Sequence, residues 1–126
     1  MIVADSSYIV EGLLRDASLL ESEPVVSPDL ALYEVMNTLW KHESKLRDIP
    51  SAEPYIDCLL ELLASRIIQF LRPDSTLVRR AYNLALKEGI SFYDAIFIVL
   101  SVNLRLELKT YDETQRKIAV RLKRIR

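Results

Sequence analysis

Ile2-Val3-Ala4-Asp5-Ser6-Ser7-Tyr8-Ile9-Val10 changes its hydrophobic period in the middle. Ile2-Val3-Ala4 is apolar without polar alternation, as expected of a short strand buried on both faces. Asp5-Ser6-Ser7 is helix-starting chemistry, because short oxygen-bearing side chains accept from the free N–H groups of a first turn. Tyr8, Ile9, Val10, Leu13 and Leu14 then follow at helical spacing. A strand that passes directly into a helix is half of a crossover unit, and crossovers join parallel strands.

The same alternation continues to the end of the chain. Pro24-Val25-Val26 reads as a strand, with Ser27-Pro28 as the cap and first residue of a helix carrying Leu32, Val35, Met36, Leu39 and Trp40 on its apolar face. Glu34, Asn37, Thr38 and Lys41 lie on the other side. After a loop at Arg47 to Ser51, Tyr55 to Leu63 reads as a nearly all-round apolar helix, buried in its own core or in a partner. Ile67 to Leu71 favours a strand, and Asp74 caps a helix on Leu77, Val78, Ala81, Leu84 and Ala85 that Gly89 closes. Ser91 opens a helix from Tyr93 to Val102, Leu104 to Leu108 is a further strand, and a last helix carries Ile118, Leu122 and Ile125. The expected fold is α/β, a three-layer α/β/α sandwich with a short, mostly parallel sheet.

The 126 residues are half apolar and 28% charged, which fits one domain spanning 1–126 with its own core and excludes a disordered or coiled-coil chain. Cys58, the single cysteine, excludes an internal disulfide and a multi-cysteine zinc site. The longest apolar run, Ala95 to Leu100, is far too short to span a bilayer, and the N-terminus has no basic region or cleavage site. A soluble, cytoplasmic protein is expected, with no membrane partner. Residues 1–115 carry 11 basic and 18 acidic side chains, whereas 116–126 carry six basic ones and no acid. On charge alone this basic C-terminal segment reads first as a solvated helix end with cations near its carbonyls, and second as an arm for nucleic acid or an acidic protein.

In an open parallel sheet, ligands bind beyond the carboxyl ends of the strands. Asp5 and Asp112 follow strands there, and Asp94 lies in the first turn of the most buried helix. Each has a structural reading as well: Asp5 and Asp112 as N-caps, Ser91 to Asp94 and Asp112 to Gln115 as capping boxes. Glu34, inside its helix on the polar stripe, is no cap, although an exposed helix carboxylate would account for it.

The stretches Ile2 to Val10, Ala31-Leu32-Tyr33-Glu34-Val35-Met36-Asn37, Ser91-Phe92-Tyr93-Asp94-Ala95 and Leu108-Lys109-Thr110-Tyr111-Asp112 together resemble the PIN-domain family of nucleases. The four acids occur in the family's order over essentially the whole chain, 29, 60 and 18 positions apart. The resemblance implies metal-dependent cleavage of phosphodiester bonds, usually in RNA. Compact members of this size, the VapC-like group, are toxins of toxin–antitoxin pairs, commonly homodimers silenced by a small antitoxin protein. Family members often finish on a hydrophobic strand, whereas this chain ends in basic Val120 to Arg126.

Carboxylates about 5 Å apart repel by roughly 3 kcal/mol per pair at an effective dielectric near 20, so four in one pocket need protons or a cation. All-oxygen ligands favour Mg²⁺ or Mn²⁺. The expected catalytic and metal-binding residues are Asp5, Glu34, Asp94 and Asp112, with Asp5 and Asp94 as direct ligands and Glu34 and Asp112 completing the pocket. Ser7 and Thr110 are expected to hydrogen-bond behind them, and Lys41, Arg116 and Lys117 to meet the RNA backbone. Two alternatives stand beside the toxin: a nuclease of RNA processing, or a non-catalytic RNA-binding or assembly module of the same fold. His42 reads as exposed, Cys58 and Trp40 as core, and the Tyr55 to Leu63 helix as either core or a dimer or antitoxin surface. No Gly-rich phosphate loop is present.

Overall fold

In the computed structural model, which describes residues 1–125 without the side chain of Ile125, Ile2–Ala4 forms β1 with all three residues buried. There follow α1 (Ser6–Leu14), α2 (Ser18–Glu21), β2 (Val25–Pro28), α3 (Leu30–Lys41), a π-helical turn (His42–Leu46), α4 (Glu53–Ala64) and β3 (Ile68–Leu71). The chain continues with α5 (Ser75–Glu88), α6 (Phe92–Leu104), β4 (Leu108–Lys109) and α7 (Glu113–Ile125). Arg126, the last residue of the basic segment, lies outside the described residues.

The four strands are all parallel, in the order β3-β2-β1-β4. The chain builds outward from β1 to β3, then returns to place β4 on the opposite side of β1. The reversal point is therefore the edge between β1 and β4, where the connections leave in opposite directions and a crevice opens. α1 packs with α2, α3 and α4, and α6 packs with α5 and α7; members of each group also touch the sheet. The core is continuous through both, and every residue of α6 from Ala95 to Val102 is buried.

The capping residues do what their chemistry dictates. Asp74 Oδ1 accepts the Leu77 N–H at 2.8 Å, Ser91 Oγ accepts the Asp94 N–H at 3.1 Å, and Gly89 closes α5 in the left-handed region at φ 66°.

Four local expectations need correction. Ser27-Pro28 does not open α3: the strand runs through it, pairing Pro28 with Leu71, and the helix starts at Leu30 after Asp29. Ser27 is fully buried and donates to the Ala4 carbonyl oxygen at 2.6 Å, while Pro28 sits at the strand's last position, where a missing N–H costs least. Leu104 to Leu108 is not a strand either. Leu104 completes α6, Arg105 turns the chain at φ 56°, and only Leu108 and Lys109 pair with β1. A helix ended by a left-handed arginine gives no glycine signal to read.

Trp40 is 51% exposed, with Lys45 Nζ 5.5 Å from its ring centroid. The buried stripe of α3 is Ala31, Val35 and Leu39, so Trp40 lies one step around the helix from it. His42 is not exposed: its side chain is 18% accessible and its Nδ1 lies 2.8 Å from Asp48 Oδ1, because Arg47, at φ 54°, folds the chain back. Cys58 is half-buried against the core. α4 gives Leu59 and Leu62 to the chain's own core and leaves Leu60 exposed. No strand follows β4 among the described residues; Ile118 and Ala119 bury the inner face of α7 instead.

Gly12 lets α1 lie against Leu20 of α2 with no room for a side chain. A Cβ there would lie 2.4 Å from Cγ of the fully buried Leu20. Alanine would gain about 1 kcal/mol of helix propensity, against roughly 1–3 kcal/mol for overpacking. Gly12→Ala is therefore expected to lower the urea midpoint, and an unchanged or raised midpoint would show that Leu20 yields without cost.

Candidate active site

Asp5 leaves β1 at the reversal edge and is 5% exposed. Its burial is made tolerable by donors. Oδ1 accepts from Ser7 Oγ at 2.6 Å and from the Tyr8 N–H at 3.1 Å, and Oδ2 accepts from Thr110 Oγ1. A carboxylate held by three donors, two of them hydroxyls, is fixed in its orientation.

Thr110 follows β4, next to β1 in the sheet, which is why a residue 105 positions away reaches Asp5. Its Oγ1 also accepts the Asp112 N–H at 2.9 Å. Asp112 Oδ1 accepts the Gln115 N–H at 3.0 Å, starting α7, and Gln115 Nε2 donates to Asp94 Oδ1 at 3.0 Å. Asp5, Thr110, Asp112, Gln115 and Asp94 thus lie on one hydrogen-bonded path. The ring of Tyr111 stacks on Tyr8, centroids 6.1 Å apart, and fixes the loop that carries the path.

Glu34 stands off that path. It sits on α3, and its Oε1 is buried with no hydrogen-bond partner. Burial raises its pKa above the ordinary carboxylate range, with Asp5 and Asp94 adding repulsion and the Ser6 hydroxyl opposing it. The Asp94 carboxyl is also pushed up, first by burial and then by Asp112 and Asp5, against hydrogen bonds from Ser91 and Gln115. Asp112 is exposed.

The four acids are therefore one electrostatic group, joined pairwise through Asp5 and Asp94. Among the described residues, no three His, Cys, Asp or Glu side chains gather closely enough to form a metal-ligand cluster. What the edge offers a cation is excess negative charge, an all-oxygen donor set and buried acceptors still unmet, Glu34 Oε1 and Gln115 Oε1. Those are the properties that suit a hard divalent ion.

Ser7 and Thr110 hydrogen-bond to Asp5, where the sequence places them. Lys41 and Lys117 are exposed, and Arg116 is held by Glu113 at 2.5 Å. Three residues were not singled out by sequence reasoning: Ser6 beside Glu34, Ser27 behind the end of β1, and Gln115. The only signal for Gln115 was its place in Asp112-Glu113-Thr114-Gln115, read as a capping box. Half of that box forms. The Asp112 N–H is already taken by Thr110, and the glutamine amide goes to Asp94.

A small α/β domain with a four-stranded parallel sheet is the architecture that comparison with known proteins identifies. The family described as PIN domain matches residues 2–121, and the chain belongs to the PIN-domain family, in its VapC-like group. It is 30% identical to Ribonuclease VapC3 of Pyrobaculum aerophilum over 120 residues, covering 88% of each chain. The crystal structure of PAE2754 from Pyrobaculum aerophilum shares the fold, with a TM-score of 0.72 at 20% identity over 96% of this chain and 88% of that one. Among the described residues, no helix is long and apolar enough to cross a membrane.

The raised carboxyls make stability depend on pH. A folded-state pKa above the unfolded one means that the folded chain holds the proton more tightly. Stability from Glu34 and Asp94 therefore falls as pH rises from the ordinary carboxylate range through the raised values. In EDTA at about pH 7, Glu34→Gln is expected to raise the urea midpoint, and near pH 4 the gain should shrink. A variant less stable than wild type at neutral pH would show that the Glu34 charge is well solvated.

Proposed function

We propose that the chain is a metal-dependent ribonuclease that hydrolyses RNA phosphodiester bonds, and that it is the toxin of a toxin–antitoxin pair. A small antitoxin protein and a second copy of the chain are its expected partners. The carrying observation is the buried, unpartnered Glu34 Oε1, set where Asp5 and Asp94 both repel its charge. A fold has no packing reason to keep such a group, whereas an ion would relieve it. Membership of the PIN-domain family and the likeness to Ribonuclease VapC3 support the same reading.

Asp5 and Asp94 would hold Mg²⁺ or Mn²⁺, with Glu34 and Asp112 completing the pocket. When bound, the ion supplies a water nucleophile near neutral pH and offsets charge on the phosphoryl oxygens. The chain's own residues do the positioning. Ser7, the Tyr8 N–H and Thr110 keep the Asp5 carboxylate from rotating, and Thr110 ties it to the Asp112 backbone. Glu34 keeps an acceptor oxygen available in a water-poor setting, suited to receive a hydrogen bond from the attacking water. Lys41, Arg116 and Lys117 would offset the repulsion between this acidic edge and the RNA backbone. A groove of about 380 Å³ on α7 is lined by Arg116, Lys117, Val120, Arg121 and Arg124.

The test is cleavage of a mixed pool of structured and single-stranded RNA by purified protein in Mg²⁺ or Mn²⁺. Cutting should vanish in EDTA and fall about a hundredfold or more in Asp94→Asn. Correctly folded Asp94→Asn that cuts as fast as wild type would overturn the reading. Lys117→Ala, in the same assay format for binding, should flatten the salt dependence of RNA affinity by about one phosphate contact. An unchanged slope would return the basic segment to a solvated helix end.

A further inference from the structure

Gln115 is buried to 5% exposure in the first turn of α7, although it is polar and the turn does not need its side chain. Its backbone N–H already donates to the capping Asp112 carboxylate, and the Asp112 N–H already donates to Thr110 Oγ1. The carboxamide is therefore free of any helix-starting duty. Its Nε2 donates to Asp94 Oδ1 at 3.0 Å, and its Oε1 is left buried without a partner. A half-satisfied buried amide costs stability that a methionine or leucine would not.

We propose that Gln115 is a positioning residue of the acidic site: it fixes the Asp94 carboxylate, locks it to Asp112 and presents its own carbonyl oxygen to a divalent cation's hydration shell. The proposal rests on the ribonuclease reading above and adds a residue to it.

The choice of a carboxamide has a physical reason. A lysine or arginine reaching Asp94 would also orient it, but would cancel the negative charge that a cation needs. The amide donates a hydrogen bond without adding charge. It also joins two acids from different elements, because one residue bonds Asp112 through its main chain and Asp94 through its side chain. Asp94 in turn cannot move with its helix, since α6 is buried on every side from Ala95 to Val102. Rotation of its carboxylate is the freedom left, and the Gln115 amide, together with Ser91, restricts it. Once Nε2 is committed to Asp94, Oε1 is left as a buried acceptor without a partner, which suits the donors of a hydrated cation.

The experiment uses the full chain with Gln115→Met, which nearly keeps the volume, and Gln115→Leu. Mn²⁺ affinity is measured by calorimetry without RNA, alongside urea midpoints in EDTA and kcat and KM for RNA cleavage. The expected result is Mn²⁺ affinity weakened about 10- to 100-fold in both variants, kcat lowered, KM nearly unchanged and urea midpoints no lower than wild type. Variants that bind Mn²⁺ and turn over like wild type would overturn the proposal and leave the ribonuclease reading standing. Affinity lost only in step with folding stability would also overturn it, showing a packing role alone. Wild type that binds no Mn²⁺ would sink the metal reading itself, and the Gln115 proposal with it.

Discussion

Carboxylates withdrawn from water with unequal numbers of donors govern the carboxyl edge of this sheet. Asp5 is the most buried of the acids and the best supplied, with two hydroxyls and one backbone N–H directed at it. Asp94 Oδ1 receives the Gln115 amide, and Glu34 has a buried oxygen that receives no donor. Burial is the first cause that pushes the Glu34 and Asp94 carboxyls upward, neighbouring acids add to it, and the donors that reach them do not offset it. An edge with Asp5 alone would be a helix cap. The three further acids around it make it a demand for positive charge.

The scaffold limits how that demand can be relieved from within. β1 is paired on both sides, and the end of the strand is held from β2 by the Ser27 hydroxyl on the Ala4 carbonyl. α6 is packed all round from its second turn. Neither Asp5 nor Asp94 can back away into solvent without moving an element that the core holds. Repulsion is stored against packing, a common arrangement where local rules of stability give way at a functional site.

What was legible in the sequence follows from how local each signal is. The strand-to-helix change at Asp5, the caps at Asp74 and Ser91, the glycine closing α5 and the all-round apolar run of α6 depend on neighbours within a few residues, and each forms as read. Ser27-Pro28 misled because a serine before a proline is equally good chemistry for a helix start and for a strand's last pair. The difference is a hydroxyl's partner 23 residues away on β1. Arg105 ends α6 without a glycine, so the sequence shows no break between the helix and the short strand after it. The apolar periodicity of α3 gave the correct face but not its edge, which left Trp40 in the open. Ser7 and Thr110 were found because they adjoin acids in the chain. Gln115 was hidden behind a local motif that explains its backbone but not its side chain.

The two halves of α7 bring opposite requirements onto one helix. Its first turn carries Gln115 to Asp94 and accepts a cap from Asp112, so its N-terminus is fixed to the acids. Its outer face then carries Arg116, Lys117, Arg121 and Arg124 along one groove. Two of these cations are already engaged, Arg116 by Glu113 and Arg121 by Glu88, which moderates the positive field rather than abolishing it. Charges act across roughly 8–10 Å at physiological salt. A polyanion approaching the edge thus meets attraction along the helix before repulsion at the acids. A divalent ion follows the opposite gradient. The chain's near-zero net charge conceals an uneven distribution along the sequence, because residues 1–115 carry seven excess acids and residues 116–126 carry six cations.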